Sequence, residues 1–177
     1  MGKIFFADDF LDLGSSDAIR QTLLRLTKSG VIIRVAQGIY CYPEIDETLG
    51  LGVIYPTDIQ IAEALAERSH SKIVPTGDYA LNVLGLSTQV PLNSVFLTNG
   101  QSRRISVSGN RSITFKNTAP RNLAFTNRLA MLVNSALKSI KNVNVTTKQT
   151  DHIYYLLRQE MKEDVLGDWM LRPVWIR

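Results

Sequence analysis

The run Gly14-Ser15-Ser16-Asp17-Ala18-Ile19-Arg20-Gln21-Thr22-Leu23-Leu24-Arg25-Leu26-Thr27-Lys28-Ser29-Gly30 sets the terms for the rest of this chain. Gly14 to Asp17 is a tight turn rich in capping residues, and it opens a helix predicted from Ala18 to Ser29. Ile19, Leu23 and Leu26 recur at spacings of four and three, with Leu24 widening the apolar stripe. Gly30 suits the left-handed position that stops a helix, and Lys28 near that end agrees with the helix dipole. Val31-Ile32-Ile33-Arg34-Val35 then reads as a β-branched strand, Ala36-Gln37-Gly38 as a turn, and Ile39-Tyr40-Cys41-Tyr42 as a second strand stopped by Pro43.

Upstream, residues 8–13 read as a short helix. The order short helix, turn, helix, hairpin is that of a winged helix-turn-helix. Such a module ordinarily carries a further helix upstream, for which the residues before Asp8 leave almost no room. Either the sequence starts inside the domain or the second half of the chain supplies the missing packing surface.

Downstream, Glu44 to Tyr55 is an acidic, glycine-containing connection, so the expected division is a winged domain over 1–43, a linker over 44–55 and a second domain over 56–177. Pro56-Thr57 opens a helix with Ile59, Ile61, Ala62, Leu65 and Ala66 on its stripe, and Ile73-Val74-Pro75-Thr76-Gly77 reads as a strand entering a turn. Strands are predicted at Val95–Thr98, Ile105–Val107 and Ile113–Phe115, the last two joined through Ser108-Gly109-Asn110. With Ile105, Val107, Ile113 and Phe115 inward, Arg104, Ser106, Thr114 and Lys116 share the wet face of a small antiparallel sheet. Helices follow over about Leu123–Ile140 and Thr150–Val165, and Trp169, Leu171, Val174 and Trp175 are expected to pack back onto the domain. The fold class is therefore α+β.

At 177 residues and 45% apolar composition, the chain can bury a core without staples. Cys41 is its one cysteine, which excludes an internal disulfide and a thiolate cluster and agrees with a reducing cytoplasm. No stretch has the length and apolarity of a membrane span. Residues 1–58 carry a net charge of −3 and residues 59–177 a net of +7. Between Asp78 and Asp151 there are nine basic residues and no acidic one. A field of one sign attracts phosphate backbones or an acidic partner.

Catalytic constellations are not legible. A hydrolytic triad needs an imidazole base, and both His70 and His152 read as surface or capping groups at helix ends. Asp8, Asp9 and Asp12 lie on one short helix, Glu160, Glu163 and Asp164 form a solvated run, and Gly50-Leu51-Gly52 lacks the rest of a phosphate-binding signature. The reading is a non-enzyme with no cofactor and no metal.

The helix-turn-helix pattern carries chemistry instead. A recognition helix needs an anchored apolar back and long donors in front. Arg20, Gln21, Arg25 and Lys28 lie away from Ile19, Leu23 and Leu26; arginine matches guanine O6/N7 and glutamine matches adenine N6/N7. Ser15 and Ser16 at the helix start suit a phosphate, and Arg34 and Gln37 at the hairpin suit an adjacent phosphate or the minor groove. Arg103, Arg104 and Lys116 form a secondary basic surface. Asp17 and the acidic patch Asp8-Asp9-Asp12 oppose phosphate. A winged module also serves to dock proteins, so the competing reading is a non-catalytic interaction protein that holds a protein or RNA partner through its winged and basic parts.

Asp9-Phe10, Gly14-Ser15, Ala18-Ile19-Arg20, Leu23, Arg25-Leu26, Lys28-Ser29-Gly30, Val31-Ile32, Arg34 to Tyr40 and Tyr42-Pro43 together resemble the N-terminal winged domain of the AbiEi-like antitoxins. Pro75-Thr76-Gly77-Asp78-Tyr79-Ala80-Leu81-Asn82-Val83-Leu84-Gly85-Leu86-Ser87-Thr88-Gln89-Val90-Pro91 is similar to the same group, in particular a DUF6088-type branch. The resemblance spans roughly Lys3 to Phe115. It implies a cytoplasmic transcriptional repressor that binds inverted repeats in its own promoter, as a dimer on two half-sites. It also implies antitoxin action against a nucleotidyltransferase-like toxin of a phage-defence module, without a stable complex between the two. Arg20, Gln21, Arg25 and Arg34 are the positions onto which DNA contacts carry over. Members of that group commonly have a helix before the segment matching Gly2-Lys3-Ile4-Phe5-Phe6, and this chain departs from them there.

Overall fold

In the computed structural model, residues 2–46, 50, 52–140, 145–160, 167–168 and 171 are described. The chain is α+β. Strand β1 (Ile4–Phe6) leads through a 3-10 turn (Ala7–Phe10) to α1 (Ser16–Lys28), followed by β2 (Ile33–Ala36) and β3 (Ile39–Cys41). Next come β4 (Glu44–Asp46), β5 (Gly52–Ile54), α2 (Asp58–Arg68), β6 (Ile73–Thr76) and α3 (Asp78–Val83). Then β7 (Asn93–Thr98), β8 (Arg103–Val107) and β9 (Arg111–Asn117) precede a 3-10 turn (Pro120–Leu123), α4 (Arg128–Ile140) and α5 (Thr147–Arg158). The part of the expected last helix that includes Met161, and the expected packing of Trp169, Val174 and Trp175, lie outside the described residues.

Seven strands make one sheet in the order β1-β3-β2-β8-β9-β7-β6. The small antiparallel sheet expected from the sequence is thus larger and mixed, because β7 and β9 run parallel, from Asn93 opposite Ser112 to Thr98 opposite Asn117. The connection at 99–102 carries the chain past the place that β9 later fills. Asn117 closes that crossing, with Nδ2 donating to the Gly100 carbonyl at 2.9 Å and its N–H to Ser102 Oγ at 2.8 Å. The β8–β9 hairpin turns at Gly109 and Asn110, with φ of 81° and 58°. The sheet also joins the two halves of the sequence, since β2 meets β8 at Ala36 opposite Val107.

Strand alternation sorts the side chains of the N-terminal strands onto two faces. Phe5 and Tyr40 pack with Ile19, Leu23 and Ile32 under α1. Val35, Ile39 and Cys41 point the other way and share a core with Ile61, Ala62 and Leu65 of α2 and with Phe96, Ile113 and Phe115. A third cluster, Ala80, Leu84, Leu132, Val133, Ala136 and Ile153, joins α3, α4 and α5.

Within the acidic, glycine-containing connection read at 44–55, residues 44–46 and 52–54 pair as a two-stranded ribbon with Glu44 opposite Ile54. β-Branched Ile45, Val53 and Ile54 and the positive φ of Gly50 and Gly52 explain it. In the Thr76–Pro91 segment, Gln89 is exposed and Asn82 ties the turn, its Nδ2 donating to the Ser87 carbonyl at 3.3 Å.

Candidate nucleic-acid interface

Helix α1 is fixed at both ends by its own sequence. Ser15 is the N-cap, its Oγ accepting the Ala18 N–H at 3.3 Å, so this hydroxyl is spent on the helix. Ser16 is the first helical residue and exposed. At the other end Gly30 adopts φ 75°, the Val31 N–H reaches the Leu26 carbonyl at 3.0 Å, and the Gly30 N–H reaches that of Thr27 at 3.2 Å. This is the Schellman arrangement, open to glycine because a Cβ is disfavoured at positive φ.

Ile19 and Leu23 are buried and Leu26 is half-buried, while Arg20, Gln21, Leu24, Arg25 and Lys28 are exposed. At 100° per residue, Gln21, Arg25 and Lys28 lie opposite the buried stripe. Arg34 on β2 stands opposite Tyr40 on β3, on the sheet face that carries α1. Arg20, Gln21, Thr27, Arg34 and Tyr40 accordingly line one cleft of about 440 Å³, with Asp17 and Leu24 also in its wall. Thr27 and Tyr40 escaped the sequence reading. The signal for Tyr40 was its register opposite Arg34, which appears only once the hairpin is paired.

Two acidic features oppose phosphate at this face, and the structure partly relieves only the second of them. Asp17 lies 3.7 Å from Arg20 with both side chains well exposed, a geometry whose coupling is small. Asp8 and Asp9 are engaged by Arg68 of α2 at 3.0 and 2.8 Å, and the Arg68 guanidinium lies 4.5 Å from the Phe6 ring centroid. One guanidinium offsets a single charge of that patch, and Asp12 takes no part in this contact.

The remaining candidates fall elsewhere. Gln37 is exposed at the β2–β3 tip, in a groove with Arg68, Arg103 and Arg104 rather than in the α1 cleft. The hairpin itself is held against β8: Ser108 donates its N–H to the Val35 carbonyl at 2.9 Å and its Oγ–H to the Arg34 carbonyl at 2.9 Å. Arg103 stands opposite Phe115 and lies over its ring, 5.3 Å from the centroid. Arg104 stands opposite Thr114 on the other face and donates to Ser112 Oγ at 3.0 Å. Lys116 shares the parity of Arg104, so Arg103 faces away from those two.

Other polar clusters are structural in geometry. Asp58 is 5% exposed, accepts from Ser94 Oγ and pairs with Arg111 at 2.7 Å, joining the start of α2 to β7 and β9. Asp168 accepts the N–H groups of Thr126 and Asn127 and so closes the start of α4. His70 sits just past α2 with φ 47°, and His152 Nε2 meets the Leu84 carbonyl at 2.9 Å. Burial pushes the Cys41 thiol above its ordinary value. Among the described residues, no group of three or more His, Cys, Asp or Glu is placed to hold a metal ion. Among them, too, no helix is long and apolar enough to cross a membrane.

A protein-family model described as "Family of unknown function (DUF6088)" matches residues 1–165. No curated protein and no solved structure matches the chain.

Proposed function

We propose, for a chain that belongs to the family of unknown function DUF6088, sequence-specific binding of double-stranded DNA by α1 and the β2–β3 hairpin. In this reading α1 is the recognition helix of a winged module and the hairpin is its wing. The observation that carries it is one exposed helix face: Gln21, Arg25 and Lys28 point outward, Arg20 and Arg34 share the adjoining cleft, and the opposite side is anchored by Ile19 and Leu23. Arg25 and Gln21 serve as base readers in the major groove, and Arg20, Arg34 and the first turn of α1 serve as phosphate contacts. The wing contributes through Arg34, while its tip at Gln37 is turned toward β8. The resemblance to AbiEi-like antitoxins supports the finer role of a repressor of its own operon, with the second half of the chain acting against a toxin encoded beside it.

Fluorescence anisotropy with the duplex upstream of the reading frame tests this. The full chain binds it in preference to random duplex, with a steep salt dependence. Arg25→Ala or Arg20→Ala costs on the order of 1–3 kcal/mol, falling on base discrimination for Arg25 and on general affinity for Arg20. Equal binding of both duplexes, unchanged by either substitution, refutes it.

A further inference from the structure

We infer that the Tyr40 hydroxyl donates a hydrogen bond to a DNA backbone phosphate seated in the cleft between α1 and the hairpin. The inference rests on the DNA-binding reading above and adds to it a contact that carries no charge.

Strand alternation decides where Tyr40 stands. Ile39 and Cys41 on either side of it turn toward α2, whereas Tyr40 turns toward α1 and packs with Phe5, Ile19, Leu23 and Ile32. Its ring is stacked on that of Phe5, with centroids 5.9 Å apart and an interplanar angle of 19°. Those four neighbours are all apolar, so a phenylalanine would serve the packing equally well. The hydroxyl is what packing leaves unexplained.

A buried tyrosine ordinarily gives its O–H to a protein acceptor. Tyr40 is only 8% exposed, yet among the described residues its hydroxyl has no hydrogen-bond partner and is not sealed from solvent. Tyr40 lines the cleft of about 440 Å³ that it shares with Arg20 and Arg34. Arg34 stands directly opposite it in the β2–β3 ladder, so the two side chains leave the sheet side by side. Thr27 supplies the other hydroxyl of the wall, and its Oγ–H is already donated to the Leu23 carbonyl at 2.8 Å. Arg20 is shared with Asp17 at 3.7 Å, which leaves Arg34 and Tyr40 as the undivided donors. Guanidinium groups beside a neutral O–H suit a phosphodiester, whose oxygens only accept.

Fluorescence anisotropy of the full chain over a salt series, with the upstream duplex and with random duplex, tests this through Tyr40→Phe. The variant keeps the ring and loses only the donor, so its thermal unfolding matches wild type. Its affinity falls about tenfold on both duplexes. The salt slope stays that of wild type, because a neutral donor releases no counterion, whereas Arg34→Gln lowers the slope by about one. Placing an uncharged methylphosphonate at each backbone position in turn locates the contact: at one position the Tyr40→Phe loss disappears. Wild-type affinity in Tyr40→Phe overturns the inference, as does a loss confined to one base pair, a loss that follows a lower unfolding temperature, or one that no methylphosphonate removes. In each of these cases wild type still prefers the upstream duplex and the DNA-binding reading stands. Wild type that binds neither duplex overturns that reading and the inference with it.

Discussion

At the scale of single residues, the most consequential polar group is Asp58. It is buried, and its compensation is the Arg111 guanidinium at 2.7 Å together with the Ser94 hydroxyl. Removing one partner of a buried pair leaves an uncompensated charge, which costs more than the pair contributes. Arg111→Met is expected to lower stability by about 3 kcal/mol in urea denaturation; a loss below about 0.5 kcal/mol would place Asp58 in contact with water. Cys41 gives a second prediction. It is 1% exposed, and burial raises its pKa above the ordinary value of 9.0. Native protein therefore resists iodoacetamide at pH 8 and reacts once denatured, because the thiolate is the nucleophile. The sign for stability follows: the folded state keeps the proton longer, so this contribution is intact below the ordinary value and is lost as pH rises through the raised one. Alkylation at equal rates in native and denatured protein contradicts the burial. Cys41 was legible as a core residue from its place in a β-branched, aromatic hairpin; the Asp58–Arg111 pair was not, because 53 residues separate its members.

Among the elements, α1 was readable nearly residue by residue, since its stripe, cap and stop signal are all local. The terminating Gly30 can be tested against Gly14 at the other end. Gly30 has φ 75°, whereas Gly14 lacks a positive φ and a Cβ added there meets nothing within 4 Å. Gly30→Val is expected to cost about 1–2 kcal/mol in thermal or urea unfolding, and Gly14→Ala less than about 0.5. Equal losses would mean that the left-handed cap does not stop α1. Sheet partners were less legible. Alternation assigned Ile105, Val107, Ile113 and Phe115 to the inner face, and all four pack in the core under α2. Nothing local revealed that β9 would slot in parallel beside β7, or that residues 44–46 and 52–54 would pair. Those choices depend on which strand edges meet after collapse, and a two-residue period fixes a face without fixing a neighbour.

Over the whole molecule, one sheet runs from β1 to β6 and makes the hairpin beside α1 a strand partner of β8. This explains why the residues singled out from sequence divide. Arg20, Gln21 and Arg34 converge, while Gln37 falls to the groove shared with Arg103 and Arg104. A hairpin tip is adjacent in sequence to both faces, and the long-range rung between Ala36 and Val107 decides which it joins. The segregation of charge along the chain was plain in the sequence. That Arg68, from the basic half, meets Asp8 and Asp9 of the acidic half required the fold. Because the hairpin is braced, the sheet sets the geometry of Arg34 relative to α1, and the proposed DNA binding is expected to need no large rearrangement of β2.

Selection from a randomised duplex pool by the full-length chain tests the exposed face of α1 most directly. The account predicts enrichment of a defined motif, with Arg25→Ala relaxing a guanine position and Gln21→Ala an adenine position while the rest of the motif survives. A pool that stays random after repeated rounds, or a motif indifferent to both substitutions, would contradict it.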